Sequence, residues 1–367
     1  MAHLTFNQVA IRAVATAVPS YVQKVDLSER RAQKFAAQMG ISQRHISITE
    51  QTSVDLGYVA LQDALAQAGW QSSDLDLLLF DTQTPDFNVG NAMLMQHLLK
   101  LRPDALVFDQ TICCASFPYS LATACSYLMQ PNFNKAAIVL GDTCWSLYQS
   151  KEELLAAQRF TFGEGTSVVL LERDEQEQHP IDLWLFANGE GYKYLFNTTT
   201  SLRNAWRRYE HFSVPDGAKY GSRAQGYEAL YMNGFFITYF ASKNMSDEIK
   251  KIWGDDILNY DYYVFHQGNK QIIDLLAAPL HLPQEKVLTS LEEYGNTNGA
   301  SPLVTICHQL AHNEHGCHIF NASMGAGLAW GFTDFFLPPD TVCPVRATDY
   351  RCDEFFFHEL PAPQEVG

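Results

Sequence analysis

Two adjacent cysteines, Cys113 and Cys114, stand in "FDQTICCASFPYSLATA" (108–124), where an apolar stretch gives way to a helix-like one. If "ALVFD" is a strand and "SFPYSLATACSYLM" a helix, "QTICCA" is the turn between them. Pro118 then falls in the first helical turn, where no amide donor is needed. A cysteine at that place meets the positive end of the helix dipole and unpaired amides. Both favour a thiolate, and the amides can receive the oxyanion of a tetrahedral intermediate. As residues alone, the pair is also compatible with small buried hydrophobes, a common fate of cysteine.

The C-terminal half supplies chemistry to match. His266 ends the strand-like "VFHQGN" (264–269), so its imidazole emerges at the carboxyl end of a strand, where α/β sheets place their sites. Asn296 sits in the glycine-flanked turn "EYGNTNGAS" (293–301). A neutral His and an Asn amide can aim two N–H donors at one developing oxyanion without carrying charge. Taken singly, the two also suit a strand end and a turn. The "NASMGAGLAWG" segment (321–331) does not open a dinucleotide fingerprint. Its glycines, with Gly325 and Ala326 at the centre, instead let backbone approach a substrate carbonyl.

Positioning these groups requires alternating strands and helices. Apolar strand-like runs alternate with helix-like segments along the chain, which predicts an α/β architecture. "DLLLFDTQ" (76–83) matches "DYYVFHQG" (261–268): each has Asp four residues before a Phe that closes the strand, and a polar residue next. This predicts an internal duplication. The expected organisation is an N-terminal half over 1–185 with the nucleophilic Cys, and a loop-rich connection over 186–230 covering the cleft. A C-terminal half with the His and Asn follows over 231–337, then an extension over 338–367.

The whole chain limits the functions available. Its 367 residues, 47% hydrophobic and 18% charged, build a compact protein. A net charge of −16 argues against a nucleic-acid groove or an anionic membrane surface, with "RNAWRR" (203–208) the best local basic patch. The N-terminus has no signal-peptide pattern and no apolar run is long enough to span a bilayer, so a cytoplasmic protein without membrane insertion is expected. Eight cysteines without a CxxC read as reduced thiols. "CHQLAHNEHGCH" (307–318) puts His308 and His312 four apart, a spacing that can hold a metal, but lacks HExxH and reads as a helix end followed by a turn.

Four segments in one order, "FDQTICCASFPYSLATA", "FGEGTSVVLL", "VFHQGN" and "YGNTNGAS…MGAGLAWG", together with "GISQRHI" (40–46), resemble the β-ketoacyl-acyl-carrier-protein synthase III group of the thiolase superfamily. The resemblance runs from about Val9 to about Leu337. It implies a thiolase-like fold of two duplicated βαβαβ-type halves in a layered α/β/α/β/α core, a homodimer, and no metal or other cofactor. Cys114-Ala115-Ser116-Phe117 matches the family's nucleophile pattern, so the resemblance makes Cys114 the nucleophile, with His266 and Asn296 completing a triad. Cys114 would take an acyl group from an acyl-CoA or acyl-carrier-protein primer, and a malonyl-type extender would supply the enolate.

Several positions depart from the pattern. Lys34 and Gln38 stand near the places of a Trp and an Arg that contact coenzyme A, Arg159 lies off its usual spacing, and Gln271, beside Asn269 and Lys270, replaces another Arg. These departures leave room for a carrier-protein donor. Val89-Gly90 replaces the bulky gate of the acyl pocket and hints at a primer longer than acetyl, in a specialised lipid or secondary-metabolite pathway. Alternatives are a non-decarboxylative condensation, which needs a carboxylate base such as Asp81 or Asp86, an acyl transfer to alcohol, amine or water, and a non-catalytic subunit paired with an active paralogue.

Overall fold

In the computed structural model, all residues are described except 26, 27, 29, 49, 88, 144–159, 198–229 and 354–367. The strands are β1 (Ala2–Phe6), β2 (Val9–Pro19), β3 (Val22–Lys24), β4 (Gln43–His45), β5 (Leu77–Asp81), β6 (Leu106–Gln110), β7 (Lys135–Asp142), β8 (Gly165–Arg173), β9 (Ile181–Ala187), β10 (Leu195–Asn197), β11 (Leu230–Met232), β12 (Tyr262–Phe265), β13 (Val287–Leu288), β14 (Cys317–Gly325), β15 (Ala329–Leu337) and β16 (Arg346–Thr348). Among the helices, α1 is Arg30–Met39, α2 Ser53–Ala68, α3 Asn91–Leu99 and α4 Ser116–Leu128.

Two six-stranded sheets carry the fold, in the orders β16-β2-β8-β7-β5-β6 and β1-β9-β15-β14-β12-β13. Within each, the same rule repeats. β2 is antiparallel to β8, β8 to β7, and β7, β5 and β6 run parallel. Likewise β9 is antiparallel to β15, β15 to β14, and β14, β12 and β13 run parallel. The duplication predicted from two short segments is therefore present in the topology, with β5 and β12 as equivalent strands. Even the shared Asp has one job in both halves. Asp76 accepts the Lys135 amide at 3.1 Å at the start of β7, and Asp261 accepts the His318 amide at 2.8 Å at the start of β14.

These central strands are buried on both faces, as parallel strands between helical layers must be. Leu77 of β5 packs inward with α4, while Leu78 and Phe80 face α2 and α3. In the second sheet Val264 faces inward, and Tyr263 and Phe265 face the helices Ser246–Trp253 and Lys270–Ala277. The middle layer consists of α4 and the helix Ser301–Gln309, whose Leu121, Leu128, Leu303 and Ile306 fill the space between the sheets. Phe117 meets Phe335 edge-on at 5.7 Å there. The result is the expected α/β/α/β/α stack.

Boundaries differ from the sequence reading. The limit placed at 185 cuts through β9, which belongs to the second sheet, and so does β1 at the N-terminus. Of the 186–230 connection, the described part forms a short turn, Gly189–Tyr194, and β10, which pairs with β11. "RNAWRR" lies outside the described residues. The extension past 338 joins the first sheet: β16 adds in parallel to β2, and Gln51 binds the carbonyls of Thr348 and Tyr350. His308 and His312 do not share a helical face, because the helix ends at Gln309 and His312 lies in a turn at φ +58°. Among the described residues no helix is long and apolar enough to cross a membrane.

Candidate active site

Cys114 lies in a tight turn, Cys113–Ala115, that runs into α4 with Pro118 in its first turn. The turn is strained: Cys113 has φ +55°, a region that residues with a side chain avoid. Asp81, at the end of β5, holds it from below. Its carboxylate accepts the Ile112 amide at 3.2 Å and the hydroxyls of Ser116 and Ser120 at 2.8 and 3.0 Å. From the other side, Gly325 closes on the turn. A Cβ there would stand 2.9 Å from the amide nitrogens of Cys114 and Ala115, so only glycine fits.

The charge state of Cys114 departs from the sequence expectation. Burial pushes the thiol well above its ordinary value, and the nearby Cys113 and Asp142 add to the shift. A backbone hydrogen bond lowers it, but by less. Desolvation and buried acids therefore outweigh the helix end, and the resting group is a thiol rather than a thiolate. Cys113 is likewise pushed up to about 12, burial first.

His266 directly follows β12. Its burial brings the imidazole down to about 4, partly opposed by a hydrogen bond with the Asn298 backbone, so the ring is neutral at neutral pH. Nδ1 lies 2.9 Å from the Ser301 hydroxyl, which also accepts the Gln267 amide at 3.1 Å.

Asn296 is placed by backbone. Its amide donates to the Thr161 carbonyl at 2.8 Å, and its carbonyl accepts from Gly163 at 3.1 Å. This pairing explains the glycine of "FGEG": a Cβ on Gly163 would sit 1.9 Å from the Tyr294 carbonyl oxygen. Arg44 of "GISQRHI" braces the same segment. It is buried, donates to the Phe162 carbonyl at 2.8 Å and lies 5.0 Å over the Phe160 ring. The side-chain Oδ1 of Asn296 accepts the Asn298 amide at 2.9 Å. The Nδ2 donors are thereby left for other partners.

Cys114, His266 and Asn296 line one cavity of about 110 Å³. Much of its wall is apolar, from Met39, Phe162, Leu195, Ile237 and Met324 among others. Sequence reasoning missed three polar residues there, Thr161, Asn298 and Gln83. Asn298, at φ +52°, brings Oδ1 to 3.9 Å from the Cys114 sulfur. Gln83 follows β5 and lines the wall near the cysteines. Asn298 is two residues from Asn296 in a turn, a cue that was available. Gln83 carried no motif.

The remaining predicted contacts separate. Asn269 and Ala326 line the cavity, although Asn269 Oδ1 is engaged in capping its helix through the Ile272 amide. Lys270 instead turns to Asp274 at 2.5 Å and is exposed. Val89 and Gly90 do not line the cavity within the chain. The α3 amides of Asn91 and Ala92 are tied to Asp109, and Val89 stays at the surface. Asp81 is sequestered under the turn, and Asp86 binds Thr52 and the Asn91 side chain, so neither candidate base faces the cavity. Arg159 lies outside the described residues.

Comparison with known proteins fits this geometry. Residues 108–189 match the family described as 3-oxoacyl-[acyl-carrier-protein] synthase III, and residues 255–333 match its C-terminal part. A β-ketoacyl-[acyl-carrier-protein] synthase III of Thermosynechococcus vestitus is 30% identical, over 84% of this chain and 89% of its own. The chain belongs to the β-ketoacyl-acyl-carrier-protein synthase III family. A Synechocystis member is 31% identical over 79% of this chain and 85% of its own. Among solved structures, a 3-oxoacyl-(acyl-carrier protein) synthase from Burkholderia xenovorans superposes with a TM-score of 0.82 at 22% identity, covering 95% of this chain and 99% of that one. A synthase III from Pseudomonas aeruginosa gives 0.73 at 25% identity, over 90% and 98%. The chain is thus an acyltransferase of the condensing type, in the thiolase superfamily.

Proposed function

We propose that Cys114 accepts an acyl group from a thioester primer, and that His266 and Asn296 then stabilise the enolate of a malonyl-type extender as it loses CO₂. In the first step the Cys114 sulfur displaces the primer's thiol, which leaves with the proton Cys114 gives up. In the second, the enolate carbon attacks the acyl–Cys114 carbonyl. The C–S bond breaks, one proton is taken up, and a 3-oxoacyl thioester leaves the free thiol behind.

The observation that carries this reading is the pairing of two uncharged donors with the cysteine on one cavity. Asn296 has its oxygen occupied, so Nδ2 is the atom it presents. His266 supplies the second donor as a neutral ring, held with Nδ1 2.9 Å from the Ser301 hydroxyl. Neutral donors suit a transient oxyanion, because they stabilise it without trapping a permanent anion. Decarboxylation is favoured over α-proton abstraction because no carboxylate lines the cavity among the described residues.

Coenzyme A or an acyl-carrier protein serves as the primer's carrier, with a primer longer than acetyl and a specialised pathway as the reading of the donor-side departures. The working unit is a homodimer, supported by β6, an edge strand whose five residues are all only half-buried. The domain division follows the triad, with Cys114 in one half and His266 and Asn296 in the other.

The half-reactions separate the roles. Cys114→Ala should still release CO₂ from a malonyl thioester, while His266→Ala or Asn296→Ala should abolish that release. Equal CO₂ release from all three variants would refute the assignment.

A further inference from the structure

Asp142 ends β7 and is almost wholly buried, 4% exposed, beside the cysteine turn. It is surrounded by donors. Oδ1 accepts the Gln83 amide at 2.8 Å and the hydroxyls of Thr82 and Thr84 at 3.0 and 3.3 Å, and Oδ2 accepts Gln83 Nε2 at 3.1 Å. Gln83 is therefore gripped twice by one carboxylate, through its backbone and through its side chain. The grip fixes both where the side chain points and which end is which. The NH₂ end faces Asp142, and Oε1 therefore faces away.

That oxygen has no hydrogen-bond partner among the described residues, and Gln83 lines the Cys114 cavity. A carbonyl held rigidly at a wall shared with Met39, Leu195 and Met324 offers an acceptor to whatever fills the space.

We propose that Gln83, positioned by Asp142, selects primers whose acyl chain carries a hydrogen-bond donor, a hydroxyacyl thioester rather than a plain alkanoyl one. This inference rests on the acyl-enzyme reading above. Gln83 touches the acyl chain and sets specificity; Asp142 acts through Gln83 as a positioning residue. A rigid acceptor discriminates because the analogue lacking the hydroxyl leaves the carbonyl unpaired, whereas a flexible glutamine would turn aside.

The test uses the full chain with hexanoyl-CoA and a set of hexanoyl-CoA analogues bearing one hydroxyl at successive carbons. Acylation rates are read by intact-protein mass spectrometry for wild type, Gln83→Leu and Asp142→Asn. The expected result is that one hydroxylated thioester acylates wild type about tenfold faster than hexanoyl-CoA, the scale of one hydrogen bond to a group otherwise left unpaired. Gln83→Leu should reverse the order while still accepting hexanoyl-CoA, which shows that it folds. Asp142→Asn should shrink the preference without reversing it. Equal rates for all thioesters with wild type, or an unchanged preference in Gln83→Leu, would overturn the role of Gln83 while leaving the acyl-enzyme intact. Absence of any adduct on wild type would overturn both.

Discussion

Asn296 Oδ1 accepts the amide of Asn298 at 2.9 Å, and this bond fixes which end of the Asn296 carboxamide faces the cavity. Replacing Asn296 by Asp keeps the acceptor but exchanges the Nδ2 donors for a second oxygen. Asn296→Asp should therefore retain acylation of Cys114 and lose condensation by about 10²–10³-fold, the usual cost of one oxyanion donor. Single-turnover assays of the two steps check this. Equal losses in both would place Asn296 in binding instead.

Burial of His266 has consequences for pH. With its folded value near 4 and an ordinary value of 6.5, the unfolded chain binds a proton between these limits that the folded chain does not. Stability then rises with pH across that window. The contribution is complete above about 6.5 and lost as the pH falls through about 4. The total is on the order of 3 kcal/mol. Urea unfolding of wild type and His266→Gln at about pH 4.5 and about pH 7 should show a shallower pH dependence in the variant.

Gly163 carries no chemistry, yet the backbone around Asn296 has no room for a larger residue there. A Cβ placed 1.9 Å from the Tyr294 carbonyl cannot be relieved by a side-chain rotation, because the obstacle is backbone. Gly163→Ala should destabilise the protein by about 2–4 kcal/mol and move Asn296. Thermal melts give the first effect. CO₂ release from a malonyl thioester, falling more steeply than Cys114 acylation, gives the second.

Asp81 is the equivalent of His266 in the other half, one residue past the shared Phe, and it has become structural. Asp81→Leu would strand the Ile112 amide and the Ser120 hydroxyl in the core, whereas the Ser116 hydroxyl keeps the Cys113 carbonyl. The expected cost is about 3 kcal/mol or more, with acylation slowed because the cysteine turn loses its anchor. Asp81→Asn, which keeps one acceptor oxygen, should cost less than half as much by denaturant unfolding.

Much of this site was legible in the sequence because its determinants are local. The Asp–Phe spacing around 76–83 and 261–268 marks strands whose ends carry Asp81 and His266, and Pro118 marks the helix behind Cys114. The glycines at 163 and 325 record close backbone approaches that tolerate nothing larger. What was not legible depends on three-dimensional surroundings. The thiolate expected at the helix end gives way to a thiol, because burial raises the Cys114 pKa most and Asp142, distant in sequence, adds to it. Val89 and Lys270 looked like substrate contacts by position, but Asp109 and Asp274 tie down the local structure and leave both at the surface. Gln83 acquires meaning only through Asp142, fifty-nine residues away.

The most direct test of the central claim is intact-protein mass spectrometry of wild type and Cys114→Ala after mixing with acyl-CoA and acyl-carrier-protein thioesters of graded chain length. The expected result is a mass increase of one acyl group on wild type, absent from Cys114→Ala and retained in Cys113→Ala. An adduct that survives Cys114→Ala, or its absence from folded wild type with every donor, would contradict it.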